Sequence, residues 1–165
     1  MLYGEFLMVC KKLALASSIL GAIFLAGCAS SVPMASTQES TKLKAFPAPK
    51  DNMAGLYIYR DSFVGKALKK DVYVDAECVG ETADRTFFYK QVTAGKNHDI
   101  STESEFSDNK LSIFTEPGKN YFVRQYIKMG VFVGGANLEA VSEEEGKRVI
   151  SKDSVQLAQS GVCGN

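Results

Sequence analysis

A succession of short β-type segments between residues 53 and 141 is the feature that most constrains the fold of this chain. Each segment is rich in Val, Ile, Tyr, Phe or Thr and ends at Gly, Asn, Asp or Pro, the residues that tight turns require. About seven such segments in so short a region are typical of a single antiparallel β-sandwich. The predicted strands cover residues 55–60, 71–75, 86–92, 98–105, 110–115, 120–128 and 137–141.

Alternation along these segments predicts which side chains face the core. In residues 120–128 one face carries Tyr121, Val123, Gln125 and Ile127, and we expect that face to be buried. Residues 55–60 carry bulky side chains on both faces. This strand is therefore either central in its sheet or has tyrosine rings that pack while their hydroxyls reach water, with a ligand-stacking surface as the alternative.

The carboxy-terminal part of the chain is predicted to contain one short helix. Ser142 and Glu145 have the spacing of a capping box, and acidic side chains favour the positive end of a helix dipole. The helix runs from Glu143 to about Ile150 and is weakened by Gly146. We therefore assign residues 53–150 to the sandwich and residues 151–165 to a carboxy-terminal tail that the sequence does not determine.

The amino-terminal segment has the pattern of an export signal. Two lysines, Lys11 and Lys12, precede an apolar run that is short for a membrane span, and the run ends in Leu-Ala-Gly-Cys at residues 25–28. These four residues resemble the lipobox of bacterial lipoproteins, which implies that residues 1–27 are a removable signal peptide and that Cys28 carries lipid. A plain transmembrane anchor and an ordinary secretory signal are the alternatives.

Lipidation of Cys28 predicts where the mature chain resides. The resemblance implies three acyl chains, which together anchor a protein stably where one chain would not. Ala29 and Ser30 follow the cysteine, whereas similar lipoproteins retained in the inner membrane usually have Asp there. We expect the outer membrane, facing the periplasm. Residues 28–52 are rich in Ser, Thr, Ala, Pro and Lys without an apolar period, so we predict a flexible tether.

Charge gives no indication of the partner. The chain has 19 basic and 19 acidic residues, and removal of the signal takes two of the former and one of the latter, so the mature chain stays nearly neutral. No basic stripe or run suits a nucleic acid, and export argues against one independently. The only partner that this part of the argument predicts is the membrane, through the lipid anchor.

The two remaining cysteines of the mature chain are candidates for one disulfide. Cys78 and Cys163 would both lie in an oxidising compartment, where such a bond forms and persists. A bridge would hold the tail to the domain and contribute about 4 kcal/mol on the chain-entropy model. The alternatives are two free thiols or an intermolecular bond.

No constellation in the sequence indicates catalysis. His98 is the only histidine, and its neighbour Asp99 points to the opposite face of the predicted strand. The two Gly-Lys-Asn turns lack the context of a P-loop. Acidic residues that share strand faces are more often solvated than bound to calcium. We therefore predict no enzyme activity, no cofactor and no metal site. The acidic residues considered are Asp71, Asp75, Glu77, Glu103 and Glu105.

Two glycine-rich apolar stretches, residues 62–67 and 129–137, are the most unusual local feature. Apolar side chains on loops are costly without a partner, and loops are where sandwich domains usually bind. We predict a contact patch for another envelope protein, the alternative being that the two stretches pack on each other or cap the open end of the sandwich. The patch consists of Phe63, Val64, Val131, Phe132 and Val133.

The order of the motifs resembles one family of bacterial lipoproteins. After the lipobox and spacer come GLYIYR at residues 55–60, SFVG at 62–65, DVYVD at 71–75, PGK at 117–119 and YFVR at 121–124. Over roughly residues 53–145 the chain resembles the family catalogued as domain of unknown function 2846. The resemblance implies an Ig-like or carboxypeptidase-regulatory-like sandwich, and it implies no activity.

The sequence thus predicts a lipid-anchored envelope protein that acts as a non-catalytic interaction or accessory module. The alternative is a domain that binds a small ligand or cell-wall glycan through its tyrosines and loop glycines.

Overall fold

The computed structural model of the chain describes residues 31–131 and 134–164. These residues form nine strands and two helices, and none of these helices is long and apolar enough to cross a bilayer. The elements are α1 (Thr37–Lys44), β1 (Met53–Arg60), β2 (Lys70–Val74), β3 (Glu77–Thr82), β4 (Thr86–Thr93), β5 (Asn97–Thr102), β6 (Asn109–Phe114), β7 (Asn120–Lys128), β8 (Gly135–Val141), α2 (Glu143–Ile150) and β9 (Gln156–Leu157).

The strands form two sheets that face each other. One has the strand order β8-β7-β1-β4-β9 and the other β3-β2-β5-β6. The four-stranded sheet is antiparallel throughout, whereas β1 pairs with β7, and β4 with β9, in parallel. The predicted all-β sandwich with a short helix near its carboxy terminus is therefore confirmed, with two parallel pairings that alternation cannot predict.

The main core lies between the two sheets. It joins side chains of the five-stranded sheet, such as Leu56 and Val123, to side chains of the four-stranded sheet, such as Val72 and Ile100. All four are fully buried. Burial of each aliphatic side chain contributes about 1.5–3 kcal/mol, so this layer is the principal source of stability.

A second core covers the outer face of the five-stranded sheet. Tyr57 and Phe122 stack there with ring centroids 5.1 Å apart, and Phe46 packs edge-on against both rings. Val149 and Ile150 of α2 belong to the same cluster. Because β1 is the central strand and is covered on both faces, it needs bulky residues on both. The tyrosines of β1 therefore pack in this core and do not form a ligand-stacking surface.

Gly146 has a packing role in α2. A Cβ at this position would lie 2.4 Å from the ring of Phe122, so the missing side chain lets the helix approach the sheet closely. The predicted cap is also present, because Ser142 Oγ accepts a hydrogen bond from the Glu145 amide. The Glu145 carboxylate pairs with Arg148.

The prediction of a flexible tether over residues 28–52 is wrong from Val32 onward. Val32 is buried in the main core, and Met34 forms a β-bridge with Ala158. Ser36 then caps α1 with a complete capping box, in which its hydroxyl accepts from the Glu39 amide and the Glu39 carboxylate accepts from the Ser36 amide. The composition resembled a linker, but the Ser-Thr-Gln-Glu pattern at residues 36–39 is the signature of a helix start.

The tail beyond residue 150 also belongs to the domain. Val155 and Leu157 are buried in the second core, and β9 extends the five-stranded sheet. The chain then crosses to β3, where Gly161 donates to the Val79 carbonyl and the Glu81 amide donates to Val162. The tail thus covers the edges of both sheets, and the predicted boundary at residue 150 is too early.

One disulfide links this tail to β3. The sulfurs of Cys78 and Cys163 are bonded, and their Cα atoms lie 6.2 Å apart. The sequence alone left this pairing open, with two free thiols or an intermolecular bond as the alternatives. Cys78 is the second residue of β3, a strand that is not among those predicted from the sequence.

Candidate interaction surface at one end of the sandwich

The connections between strands lie alternately at the two ends of the sandwich. At the first end, called the loop end, lie residues 61–69, 83–85, 103–108, 129–131 and 134. At the opposite end, called the turn end, lie the connections 75–76, 94–96 and 115–119. This arrangement follows from the pairing of β1 with β4, β2 with β3, β5 with β6, and β7 with β8, all antiparallel.

Exposed apolar side chains are concentrated at the loop end. Among the described residues eight large apolar side chains are exposed, and five of them lie in three of these loops. The exposed fractions reach 85% for Phe63 and 86% for Met129. Such clustering marks a contact site more often than scattered apolar residues do. We define the apolar tip as Phe63, Val64, Phe106, Met129 and Val131.

Close backbone contacts hold the three loops together beneath the tip. Gly65 has a φ of 71°, and a Cβ there would lie 2.7 Å from Ile127. A Cβ on Gly134 would lie 2.6 Å from the Leu68 side chain. The glycines that the sequence analysis noted therefore let residues 61–69 lie against the β7–β8 connection.

The third loop joins through an acidic side chain and a glycine. Glu105 accepts a hydrogen bond of 2.8 Å from the Val131 amide. A Cβ on Gly135 would lie 2.7 Å from the Ser104 hydroxyl, so these segments also touch. The apolar tip is thus supported by contacts between neighbouring loops.

A buried arginine fixes the first loop. Arg60 is fully buried, and its guanidinium donates to the carbonyls of Gly65 and Leu68. Burial lowers the pKa of Arg60, while the charge of Asp84 opposes that shift. The guanidinium is planar and carries several N–H donors, so it can bind two carbonyls of one loop at once. Arg60 therefore holds residues 61–69 in position from inside the domain.

A hydrogen-bonded network lies inside the loop end and connects the sheets. Gln125 is fully buried; its amide nitrogen donates to Thr102 Oγ1 at 2.7 Å, and the Thr82 hydroxyl lies beside its oxygen. The Thr102 hydroxyl donates to the Asp71 carbonyl. The Thr82 hydroxyl lies within hydrogen-bond distance of both the Lys70 carbonyl and the Gln125 oxygen, and its single proton serves one of the two. Gln125 therefore belongs to the predicted buried face of β7, with its polar atoms paired.

The predicted contact patch is brought together only in part. Phe63, Val64 and Val131 lie together at the loop end, whereas Phe132 and Val133 fall outside the described residues. Cys28 also falls outside them. Phe106 and Met129 were not among the predicted patch residues. Phe106 follows directly after the predicted strand 98–105, between acidic and small polar residues, and a single apolar residue there gives no periodic signal.

His98 is buried at the turn end and pairs with Asp75. Its Nδ1 lies 2.6 Å from Asp75 Oδ2, and its Nε2 lies 2.8 Å from the Thr93 carbonyl. Desolvation would raise the pKa of Asp75, but the hydrogen bonds from His98 and the Asp99 amide together lower it. Both ring nitrogens thus face oxygen acceptors of the protein. This geometry ties β5 to the β2–β3 turn and leaves neither nitrogen directed at solvent.

A shallow polar cleft lies on the outer face of the four-stranded sheet. Its volume is about 330 Å³. The lining residues are Tyr73, Asp75, Ala76, Asp99, Ser101, Asp108 and Lys110.

The acidic residues considered for calcium bind partners within the protein, and the fold brings together Asp71 and Glu103, whose carboxylate accepts from the Asp71 amide. Asp71 is buried, where it accepts from the Gly164 amide and from Tyr73, and desolvation raises its pKa. Glu103 pairs with Lys70, and Glu77 with Lys90. Within residues 31–131 and 134–164, no group of three or more His, Cys, Asp or Glu is placed to hold a metal ion.

Comparison with known proteins places the chain in a family. A Haemophilus influenzae protein described as uncharacterized is 60% identical over 142 residues, which cover 86% of this chain and 84% of that protein. No solved structure matches. The family described as protein of unknown function (DUF2846) matches residues 50–136. That range contains the sandwich from before β1 to the start of β8, together with all three loops of the apolar tip. The chain therefore belongs to the DUF2846 family, as its motifs had indicated.

Proposed function

We propose that this protein is a lipid-anchored module of the cell envelope that binds a partner protein through the apolar tip and has no catalytic role. The observation that carries the proposal is the concentration of five exposed apolar side chains at one end of the sandwich. The expected location is the periplasmic face of the outer membrane.

The proposed anchor is supported by the sequence around Cys28. A basic head, an apolar run and Leu-Ala-Gly-Cys at residues 25–28 have the order and spacing of a lipoprotein signal. The disulfide between Cys78 and Cys163 is consistent with an oxidising compartment, where such bonds persist.

The proposed contact role is supported by the construction of the tip. Its side chains stand on loops held by Arg60, by glycine contacts and by the Glu105 carboxylate. Ordered loops that present apolar side chains lose little conformational freedom on binding, which favours affinity. Lys66 lies 4.5 Å from the centroid of the Phe63 ring, so a charged group borders the apolar area, as in the polar rim of protein interfaces.

In-cell crosslinking followed by mass spectrometry tests this function. The double variant Met129→Ser, Val131→Ser should lose a dominant crosslinked partner that the wild type captures. Phe114→Ser is the matched control, because Phe114 is 56% exposed at the turn end. A Cys28→Ala form with a secretory signal should leave the membrane fraction. Equal capture by the tip variant and the wild type would contradict the proposed contact role.

A second candidate function is the binding of a small polar ligand such as a cell-wall glycan. The polar cleft favours it, because Tyr73 offers an aromatic edge beside carboxylates, a hydroxyl and the Lys110 ammonium. Calorimetric titration with soluble cell-wall fragments would measure it directly. Saturable binding that Tyr73→Ala abolishes and the tip variant retains would favour this candidate over the protein partner.

A further inference from the structure

We infer that the domain is held against the bilayer at one corner and presents the apolar tip at the diagonally opposite corner, where the tip meets a protein and not lipid. This inference rests on the proposed lipidation of Cys28. It concerns the occupant of the tip, since exposed Phe, Val and Met side chains can enter a membrane as well as a protein interface.

The first step is the length of the link between anchor and domain. Val32 is 7% exposed and belongs to the main core, and the Pro33 carbonyl accepts from the Gln159 amide at 2.8 Å. Only residues 29–31 separate Cys28 from Val32. Four residues span at most about 14 Å. The lipid therefore lies close to the place where Val32 enters the core.

The second step is the direction in which the chain leaves the domain. Residues 157–159 run parallel to β4, away from its start at the loop end, because Leu157 pairs with Phe87. Met34 bridges Ala158 in the antiparallel sense. Followed from Ala35 back to Val32, the chain therefore runs toward the turn end. The anchor extends from this direction, opposite to that of the tip.

The third step is the lateral separation. The anchored segment lies beside β9, which is one edge of the five-stranded sheet, whereas β8 is the other edge. Four strand spacings of about 4.8 Å separate the two edges by about 19 Å. The tip loop between β7 and β8 stands at the far edge. Anchor and tip are thus separated both along and across the strands, and a 14 Å link does not allow the tip to enter the bilayer end-on.

The charge of the loop end agrees with a protein occupant. Its four connections contain five acidic and three basic residues, and Lys70 and Lys128 adjoin them at the ends of β2 and β7. Lys70 is paired with Glu103. Segments that bind anionic membranes usually carry clusters of Lys or Arg, because basic residues are attracted to the headgroups. A nearly balanced set of charges around apolar side chains suits instead a protein partner, whose interfaces have an apolar centre and a polar rim.

Depth measurements with single tryptophans test the inference, because the chain contains no tryptophan. The full-length lipidated protein is reconstituted into phosphatidylethanolamine and phosphatidylglycerol vesicles that carry a nitroxide quencher on lipid headgroups. Ser31→Trp reports the link, and Met129→Trp reports the tip. Acrylamide, a quencher in the water, confirms that both tryptophans are accessible.

We expect headgroup nitroxides to quench Ser31→Trp at least threefold more strongly than Met129→Trp. Equal or stronger quenching of Met129→Trp would overturn the inference, because the tip would then lie in the bilayer. Quenching of neither tryptophan in protein that floats with the vesicles would also overturn it, because the domain would then stand off the surface. Protein that does not float with the vesicles would contradict the lipid anchor itself, and that result is distinguishable from the other two.

Discussion

The two ends of the sandwich differ in what their residues do. At the turn end, Asp75 and Ala76 form a tight left-handed turn, His98 is buried between two acceptors, and the disulfide joins β3 to the tail. At the loop end, longer connections expose five apolar side chains above a buried arginine and a polar network. The exposed apolar area is thus concentrated at one end, whereas buried stabilising contacts are present at both.

Because of this difference, the exposed side chains of the loop end can be substituted without loss of the fold. These side chains contribute little to the cores, whereas the turn end carries covalent and hydrogen-bonded links between strands. Substitutions at the two ends should therefore separate stability from binding. The following predictions test that separation, from the largest expected effect on stability to the smallest.

The double variant Cys78→Ala, Cys163→Ala should lose about 4 kcal/mol of unfolding free energy, because the bond closes a loop of 85 residues in the unfolded chain. Denaturant unfolding monitored by circular dichroism measures the loss. Wild-type protein treated with a reductant is the control and should unfold at the same denaturant concentration as the variant. A loss below about 1 kcal/mol would contradict the explanation by the entropy of the unfolded chain.

Arg60→Lys should cost about 1–2 kcal/mol and loosen residues 61–69, because one ammonium cannot replace a guanidinium that donates to two carbonyls. Limited trypsin digestion measures the loosening as faster cleavage after Lys66 and Lys69. Arg85→Lys is the control, since Arg85 is exposed at the same end. Unchanged cleavage of the Arg60 variant would contradict the positioning role of this residue.

Asp75→Asn should cost about 1 kcal/mol at pH 7, because buried His98 loses a charged acceptor. The lowered pKa of Asp75 means that its contribution is present above the unfolded value, about 3.9, and is lost as pH falls through the folded value. The stability difference between variant and wild type should therefore disappear in acid. Asp99→Asn is the control, and a difference that persists in acid would refute the explanation by a charged acceptor.

Phe63→Ser should change stability by less than about 0.5 kcal/mol, because its side chain is 85% exposed. Partner capture should fall even though the thermal midpoint is unchanged. A fall of several degrees in that midpoint would show that Phe63 packs in the core and would remove the distinction between the two ends.

Much of the sandwich could be predicted from local patterns. Strands such as Asn120–Lys128 contain bulky aromatic and β-branched residues and are bounded by turn residues. Ser142 marks the start of α2. The amino-terminal segment and β9 could not be predicted in this way. They are too short to show a period, and they are held by pairing with each other and with β4, which are contacts between residues far apart in the chain.

The candidate site was predictable only in its apolar parts. Phe63, Val64 and Val131 stand in glycine-rich stretches that are unusual by composition. Arg60 could not be recognised, because an arginine at the end of a strand normally reaches water. The pairing of His98 with Asp75 could not be predicted either. Asp75 lies in the β2–β3 turn, far from His98 in the chain, and only the tertiary structure brings the two side chains together.

The pairing of the first and last segments of the domain has a consequence for the order of folding. Residues 32–35 lie against residues 157–159, and Cys163 forms the disulfide with Cys78. The amino-terminal segment therefore finds its partner only after residues 157–159 have been synthesised, and the cysteines join only where they can be oxidised. This edge of the five-stranded sheet is thus among the last parts of the domain to close during synthesis.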